Sequence, residues 1–440
     1  MSWNRGSAIV VVAVVASLGA PAWAGTAAVY VDDDYSASTP GWGATHFDNL
    51  PAAIGAVDAG GTVSVHDGTY AHSAQVGVAK PVTIQGVGAT PTLSFSDGAY
   101  DGLAVTSDDV TLDNLRFYRD GHSAYNALVS IPKGGGYPNY TVEHDRVTIR
   151  GCTFDGGRYG LYAAPGDLTV QGNTFQNGYR DSIILIGGSG TNTISGNHFT
   201  GEAGSKKAIL IEPASGEPPI SGTLNVENNT VYGKRNFLVF NHWNHPDTDT
   251  LTLNVTHNSI CGTASGVLAF YAAYTDDADG FDKFSDINIQ DNIISQCGGL
   301  AVCVDYEDWG GAPAADNRPV APNGFIDVAN NLAFSNEAGD EETTDATGNY
   351  GYVDIVDMTP SGASMAMFDL SGNAVGDPGF ADPANGDFSI TDLSPAWLAA
   401  SDGLNVGAWQ VPEPATMALL AVGGLAALGR RRQRRATSAK

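Results

Sequence analysis

Charge is scarce in this chain, and positive charge is scarcest. Asp, Glu, Lys and Arg make up 16% of 440 residues, and 21 Lys plus Arg stand against 48 Asp plus Glu, a formal net charge of −27. So acidic a surface disfavours nucleic acid and anionic membranes as partners and favours solubility and cation binding. Cysteine is also sparse: Cys152, Cys261, Cys297 and Cys303 are far too few for a disulfide scaffold, so packing must hold the core. Glycine is what abounds, with 55 residues. Low charge with many glycines fits an all-β repeat full of tight turns better than a helical bundle.

Long apolar runs are confined to the two ends. At the start stand Arg5, an apolar stretch from Ala8 to Leu18 and then Ala22-Trp23-Ala24, the charge, run and small-x-small order that signal peptidase reads. Cleavage is expected after Ala24. At the other end Val411-Pro412-Glu413-Pro414 leads into an apolar stretch from Ala415 to Gly429 and then Arg430, Arg431, Arg432, Arg434 and Arg435. As a helix, that stretch spans about 22 Å against a hydrocarbon core of roughly 30 Å, a marginal transmembrane helix. The arginines would stay cytoplasmic and place the body outside. This tail resembles the PEP-CTERM sorting signal in its motif Pro412, Glu413, Pro414, its single apolar helix and its arginine cluster. The resemblance implies processing by an exosortase in a Gram-negative bacterium that makes exopolysaccharide; an ordinary tail anchor is the plainer alternative. The chain thus divides into a signal peptide (1–24), a body (25–410) and a sorting segment (411–440). Residues 1–24 hold one basic residue, and 412–440 hold six basic and one acidic, so the body keeps 14 basic against 47 acidic residues, near −33.

One pattern recurs through the body: alternating apolar residues, a fixed position that is often Asn, another apolar residue and a turn. It occurs at 82–88, 110–117, 147–154, 168–175, 192–199, 224–231, 253–260, 287–294, 326–333 and 368–375. The fixed position is Val87, Leu115, Cys152, Asn173, Asn197, Asn229, Asn258, Asn292, Asn331 and Asn373. Period-2 alternation at such spacings predicts an all-β, single-stranded, right-handed parallel β-helix of about ten coils, a rod about 48 Å long. Stacked inward asparagines would hydrogen-bond the same residue above and below, a structural role. After each turn comes a second strand whose inward column reads Leu128, Leu161, Ile183, Ile209, Leu238, Leu268 and Val302. Ahead of the repeat, Leu50 to Val57 reads as a short amphipathic helix that would cap the open N-terminal end. The opening segment resembles that of many right-handed β-helix proteins, pectin esterases among them, and the closing stretch DPGFADPANGDFSITDLSPAW resembles their terminus. The catalytic signatures of pectin esterases are absent, so the resemblance implies the pectate-lyase-like fold and not the reaction.

Aligning the second strands places Arg158, Arg180, Lys206 and Arg235 each three positions before an inward residue, one basic side chain per successive coil. At about 4.8 Å such charges repel by roughly 3 kcal/mol, so something has to offset them. Asp155, Asp181 and Glu202 are the plain answer; the carboxylates or sulfates of an acidic polysaccharide are the sharper one. At the far end of the same strands the outward residue runs Ile131, Ala164, Ile186, Glu212, Asn241, Tyr271 and Asp305, and long loops follow. Those loops bring His242, Trp243, His245, Glu307, Asp308 and Trp309, aromatic faces beside carboxylates that suit sugar rings. The expected substrate-binding set is therefore Arg158, Arg180, Lys206, Arg235, Asn241, Trp243, Tyr271, Asp305 and Trp309.

For catalysis, Glu212 and Asp305 lie three coils apart, near 14 Å, too far for a glycosidase pair. A lyase acting on a polyuronate would draw on Lys206, Arg235 and Glu212, with a cation on the substrate carboxylate. Asp277, Asp279 and Asp282 precede and follow Gly280 as in calcium loops but fail the EF-hand pattern, which leaves calcium as the one cofactor in view. Cys261 and Cys297 fall in the same turn of successive coils and form the expected disulfide. The two readings carried forward are a cell-surface β-helix that binds acidic exopolysaccharide and a lyase acting on such a glycan; a purely structural surface protein is the third.

Overall fold

The computed structural model describes residues 26–98, 101–122, 126–132, 143–201, 206–212, 221–243, 251–264, 267–273, 284–299, 301–305, 326–338, 351–353, 358, 360–362, 368–397, 399–402 and 404–408. The expected signal peptide and the sorting segment lie outside them. Among the described residues no helix is long and apolar enough to cross a membrane.

Three long sheets run the length of the molecule, of 13, 11 and 11 strands. Each coil contributes one strand to each sheet, and neighbouring coils pair in parallel, as Thr148 with Thr169 in the first sheet and Phe154 with Phe175 in the second. Among the described strands, antiparallel pairing enters in the third sheet, where 351–353 pairs with 302–304 and with 360–362. All ten repeat segments lie in successive coils. The coil at Gly61–His66 and the strands Ala28–Val31 and His46–Phe47 extend the first sheet beyond them, so by the same count of about 4.8 Å per strand the rod is about 62 Å long rather than 48 Å.

The turn between the first and second sheets explains the repeat. The residue before the fixed position takes a left-handed conformation in coil after coil: Asn114, Gly151, Gly172, Gly196, Asn228, His257, Asp291, Asn330 and Gly372 all have φ between 52° and 66°. Glycine adopts that region freely, and Asn, Asp and His tolerate it best among the other residues. The turn aims the next side chain inward. Asn173, Asn197, Asn229, Asn258, Asn292, Asn331 and Asn373 then form an unbroken ladder, each Oδ1 accepting the backbone N–H of the residue one coil back, at 2.8 to 3.0 Å.

Between the sheets the interior is apolar. In the second sheet Phe117, Phe154, Phe175 and Phe199 stack at centroid distances of 5.2, 4.4 and 5.0 Å. The helix Leu50–Ala56 buries Leu50, Ala53 and Ile54 in the same core and packs against the first strands of the sheets. Asn49 caps it, accepting the Ala52 N–H at 2.9 Å. Replacing Asn49 by Ala should cost about 1 kcal/mol in a denaturant titration.

Two register assignments shift by one residue. In the strand Ala127–Ile131 it is Val129, not Leu128, that pairs with Leu161, and Ile131 pairs with Ala163 as a fully buried core residue. Ile131 therefore belongs to the inward row and not to the outward column at the strand's far end.

After the last coil the chain reverses. Residues 377–408 run back along the outside of the second sheet as a strap that packs Ala396, Ala400 and Val406 on Ile293 and Leu332. Phe388 sets its ring against His198, centroids 6.3 Å apart.

Candidate functional site

The corner between the second and third sheets holds the basic column. Arg158, Lys206 and Arg235 immediately precede the strands Tyr159–Ala163, Lys207–Ile211 and Asn236–Trp243, and Arg180 lies three residues before Ile183–Leu185. Their backbones stack as the alignment requires: the Arg180 N–H donates to Arg158 O at 3.0 Å and the Arg235 N–H to Lys206 O at 2.8 Å. Arg158, Arg180 and Lys206 are half-buried and Arg235 is exposed.

Of the expected counter-charges, Asp181 stands beside the column and Asp155 is engaged elsewhere. Asp155 turns to the coils on either side, accepting from Arg116 of the previous coil at 2.5 Å and from Asn177 of the next at 2.8 Å. Burial works against its charge, but these hydrogen bonds prevail and leave its carboxyl below the usual range. Asp181 is fully buried and its Oδ2 stands 4.0 Å from Arg180 Nε, while its Oδ1 accepts the Lys207 N–H at 3.1 Å. Glu202 lies outside the described residues. An aromatic ring also shares the work. Tyr159 has the guanidinium carbons of both Arg158 and Arg180 5.7 Å from its ring centroid, and its hydroxyl oxygen accepts from Arg180 Nη1 at 3.1 Å.

Lys207 and Tyr159 were not singled out from the sequence. Burial lowers the Lys207 pKa, Asp181 and Glu212 counteract, and Lys206 and Arg180 lower it further, so Lys207 shares the corner's field. The Lys206-Lys207 doublet was the available signal. Glu212 is half-buried just past the far end of that strand and donates its N–H to Leu185 O at 2.8 Å. Lys206 and Glu212 thus stand at opposite ends of one strand.

In the outward column, Asn241, Tyr271 and Asp305 pair in register across three coils. Their side chains and that of Trp243 lie outside what is described, as do Trp309, Asp277, Asp279 and Asp282. Within the described residues the carboxylates close enough to share an ion are Asp32, Asp33 and Asp34, with ligand atoms within 4.8 Å of one another at the N-terminal rim. A cleft lined by His72, Phe95, Asp101 and Arg119 measures about 20 Å³, room for about one water and not for a sugar ring.

The expected disulfide is absent. Cys261 and Cys297 are buried free thiols. Cys261 pairs with Ser295, two residues before Cys297, so the two are offset across the turn. Their sulfurs point to different acceptors: Cys297 Sγ to Ser295 O at 3.2 Å, Cys261 Sγ to Gln296 Oε1 at 3.8 Å. Burial pushes the Cys261 thiol up to about 12.

Comparison with known proteins places this architecture. The family described as right handed beta helix region matches residues 65–269 and, overlapping, 141–349; the PEP-CTERM protein-sorting motif matches 410–435. Comparison with curated proteins finds no match. Among solved structures, a mannuronic acid specific polysaccharide family 6 lyase from human gut microbiota is 14% identical over 84% of this chain and 92% of its own, TM-score 0.37. A family 6 polysaccharide lyase from Pseudopedobacter saltans is 14% identical over 82% and 97%, TM-score 0.37. The catalytic unit of an alpha-1,3-glucanase from Streptomyces thermodiastaticus is 11% identical over 74% and 66%, TM-score 0.36. Nothing of their chemistry is carried over. The family matches span well over half of the chain and its sorting tail: this is an exported protein of the right-handed β-helix family that carries a PEP-CTERM sorting signal.

Proposed function

We propose that the protein is a cell-surface β-helix that binds acidic extracellular polysaccharide along the column Arg158, Arg180, Lys206 and Arg235. The observation that carries this reading is the stacking of one cation per coil in a body that has only 14 basic residues. A linear polyanion offers carboxylates or sulfates at a repeat, and guanidinium groups in register meet such oxygens with charge-assisted hydrogen bonds. Asn241, Trp243, Tyr271, Asp305 and Trp309 are the residues that would extend the track toward the sugar rings. Exosortase processing fits the sorting motif, and surface attachment would keep the track where exopolysaccharide accumulates.

On an acidic-glycan affinity gel the wild-type chain is expected to be retained and to elute as salt rises. Arg180→Ala combined with Lys206→Ala should weaken binding by about tenfold to a hundredfold, since each lost charged hydrogen bond is worth on the order of 1 kcal/mol or more. Unchanged retention of the double variant sinks the reading. The polyuronate lyase alternative, built on Lys206, Arg235 and Glu212, gains one point from the burial-lowered pKa of Lys207, the property of a lysine base. Unsaturated product on incubation with polyuronates would establish it; none with any substrate, with retention intact, leaves the binder.

A further inference from the structure

The basic column ends at Arg158. On the coil before it the same corner runs Asp120-Gly121-His122, and Arg119 just ahead is buried. Where the accessible cations stop, two rings stand. His122 is exposed and lies flat against Tyr179, two coils further on, with centroids 3.8 Å apart and planes 12° from parallel. Among the described residues Tyr179 is the most exposed tyrosine or tryptophan, at 52%. The imidazole covers one face of the phenol, so the exposed part is its other face and its edge.

The turn of the intervening coil lets the rings meet. It passes through Gly156 and Gly157, at φ 78° and 70°, which carry no side chain. A Cβ on Gly156 would stand 2.2 Å from Arg119 O, so glycine is required there. Arg158, which follows, leans to Tyr159, its guanidinium carbon 5.7 Å from that ring's centroid. Backbone hydrogen bonds fix the stacking beneath: the Gly157 N–H donates to Arg119 O at 3.0 Å and the Tyr179 N–H to Gly157 O at 2.9 Å. Tyr179 is thereby set beside Arg158 and stands next in sequence to Arg180, whose Nη1 donates to the Tyr159 hydroxyl at 3.1 Å.

We propose, resting on the glycan reading above, that the open face of Tyr179 is the platform on which a sugar ring of the acidic glycan stacks, with His122 as its backing. Cations in a column recognise charge alone and hold any polyanion of matching spacing. A pyranose ring adds a face of C–H groups, slightly positive, that settles on the negative face of an aromatic ring. Two guanidinium groups beside an open phenol meet both halves of such a sugar, the ring on Tyr179 and the carboxylate or sulfate on Arg158 or Arg180. Backing by His122 holds the phenol flat before the ligand arrives, which lowers the ordering cost of binding. Tyr179 is thus the residue that would tell a charged sugar from a charged chain without rings.

The test titrates the full chain with oligosaccharides of polygalacturonate, which carry carboxylates, and of dextran sulfate, which carry sulfates. Tyr179→Ala is expected to weaken binding of whichever the wild type takes by about threefold to tenfold, and Tyr179→Phe to preserve it. Proton spectra supply the second readout: sugar-ring protons of the bound ligand should shift upfield with the wild type and with Tyr179→Phe, and not with Tyr179→Ala. Thermal melting checks that each variant is folded. Unchanged affinity in Tyr179→Ala, or no upfield shift with the wild type, overturns the platform while leaving the track if Arg180→Ala with Lys206→Ala still abolishes binding. A wild type that binds neither ligand, or a double variant that binds as the wild type does, overturns the glycan reading and the platform together.

Discussion

Replacing Asn229 by leucine should remove roughly 4 kcal/mol of stability or leave the chain unable to fold in soluble form, because several buried polar groups lose their partners at once. Asn229 is completely buried. Its Oδ1 accepts from Asn197 N and Nδ2 at 2.9 and 3.0 Å, and its Nδ2 donates to Ile194 O at 2.8 Å and Asn258 Oδ1 at 3.0 Å. Leucine has the same branched outline with bulkier methyl groups, so no cavity is left, and its overpacking adds to the loss. The outer face of the first sheet supplies the control. Asn254 donates to Asn225 and accepts from Asn288 at 2.8 and 2.9 Å in a second amide ladder that is partly exposed, where water replaces a lost partner. Asn254→Ala should cost less than about 1 kcal/mol. Equal midpoints for the two variants in urea would show that burial does not set the value of these bonds.

Methionine in place of Lys234 should stabilise the protein at neutral pH. Lys234 is 1% exposed and, among the described residues, its Nζ has no hydrogen-bond partner. Burial pushes its pKa from 10.5 down to about 8, against the opposing attraction of Asp181. In the unfolded chain the amine keeps its ordinary value, so between about pH 8 and 10.5 the unfolded state binds the extra proton. Stability of the wild type should therefore rise as pH climbs through that window, by roughly 3 kcal/mol in all, the cost of holding the cation inside at lower pH. The methionine variant should show no such rise and should exceed the wild type most clearly at pH 7. A wild-type curve flat from pH 8 to 10.5, parallel to that of the variant, would mean that Lys234 is solvated by water the burial does not reveal.

Much of the architecture was legible because a stacked solenoid repeats its constraints. The Asn at one corner and the left-handed residue before it recur often enough to set the register, and they placed all ten coils correctly. The register failed by one at Leu128 and Ile131, where Ala127–Ile131 is buried at every position. Without alternation, parity cannot be read. The basic column was legible for the same reason as the ladder, one residue per coil at a constant offset. Its surroundings were not. Asp155 is drawn to Arg116, 39 residues upstream, by a pairing that only the stacked coils create. Lys234 reads as a surface residue because nothing local marks a lysine as inward. Cys261 and Cys297 share a turn in the sequence, yet a two-residue offset separates them. The closing stretch was recognisable as a terminus, but its reversal along the second sheet depends on contacts with Asp291 and Ser259, more than a hundred residues away.

The asparagine ladder also makes each coil a module. Every link repeats the same bond, from a backbone N–H to the amide of the next coil, whether the intervening chain is 21 residues, as from Cys152 to Asn173, or 42, as from Asn331 to Asn373. Extra residues leave that edge unchanged and accumulate elsewhere on the circumference. Duplicating or deleting one whole coil would join equivalent partners on either side and change the length of the rod by one strand spacing, about 4.8 Å. The protein is in this sense a ruler whose graduations lie along one edge. Its reach, and with it the number of cations it can present in a row, can be altered without redesigning the interior.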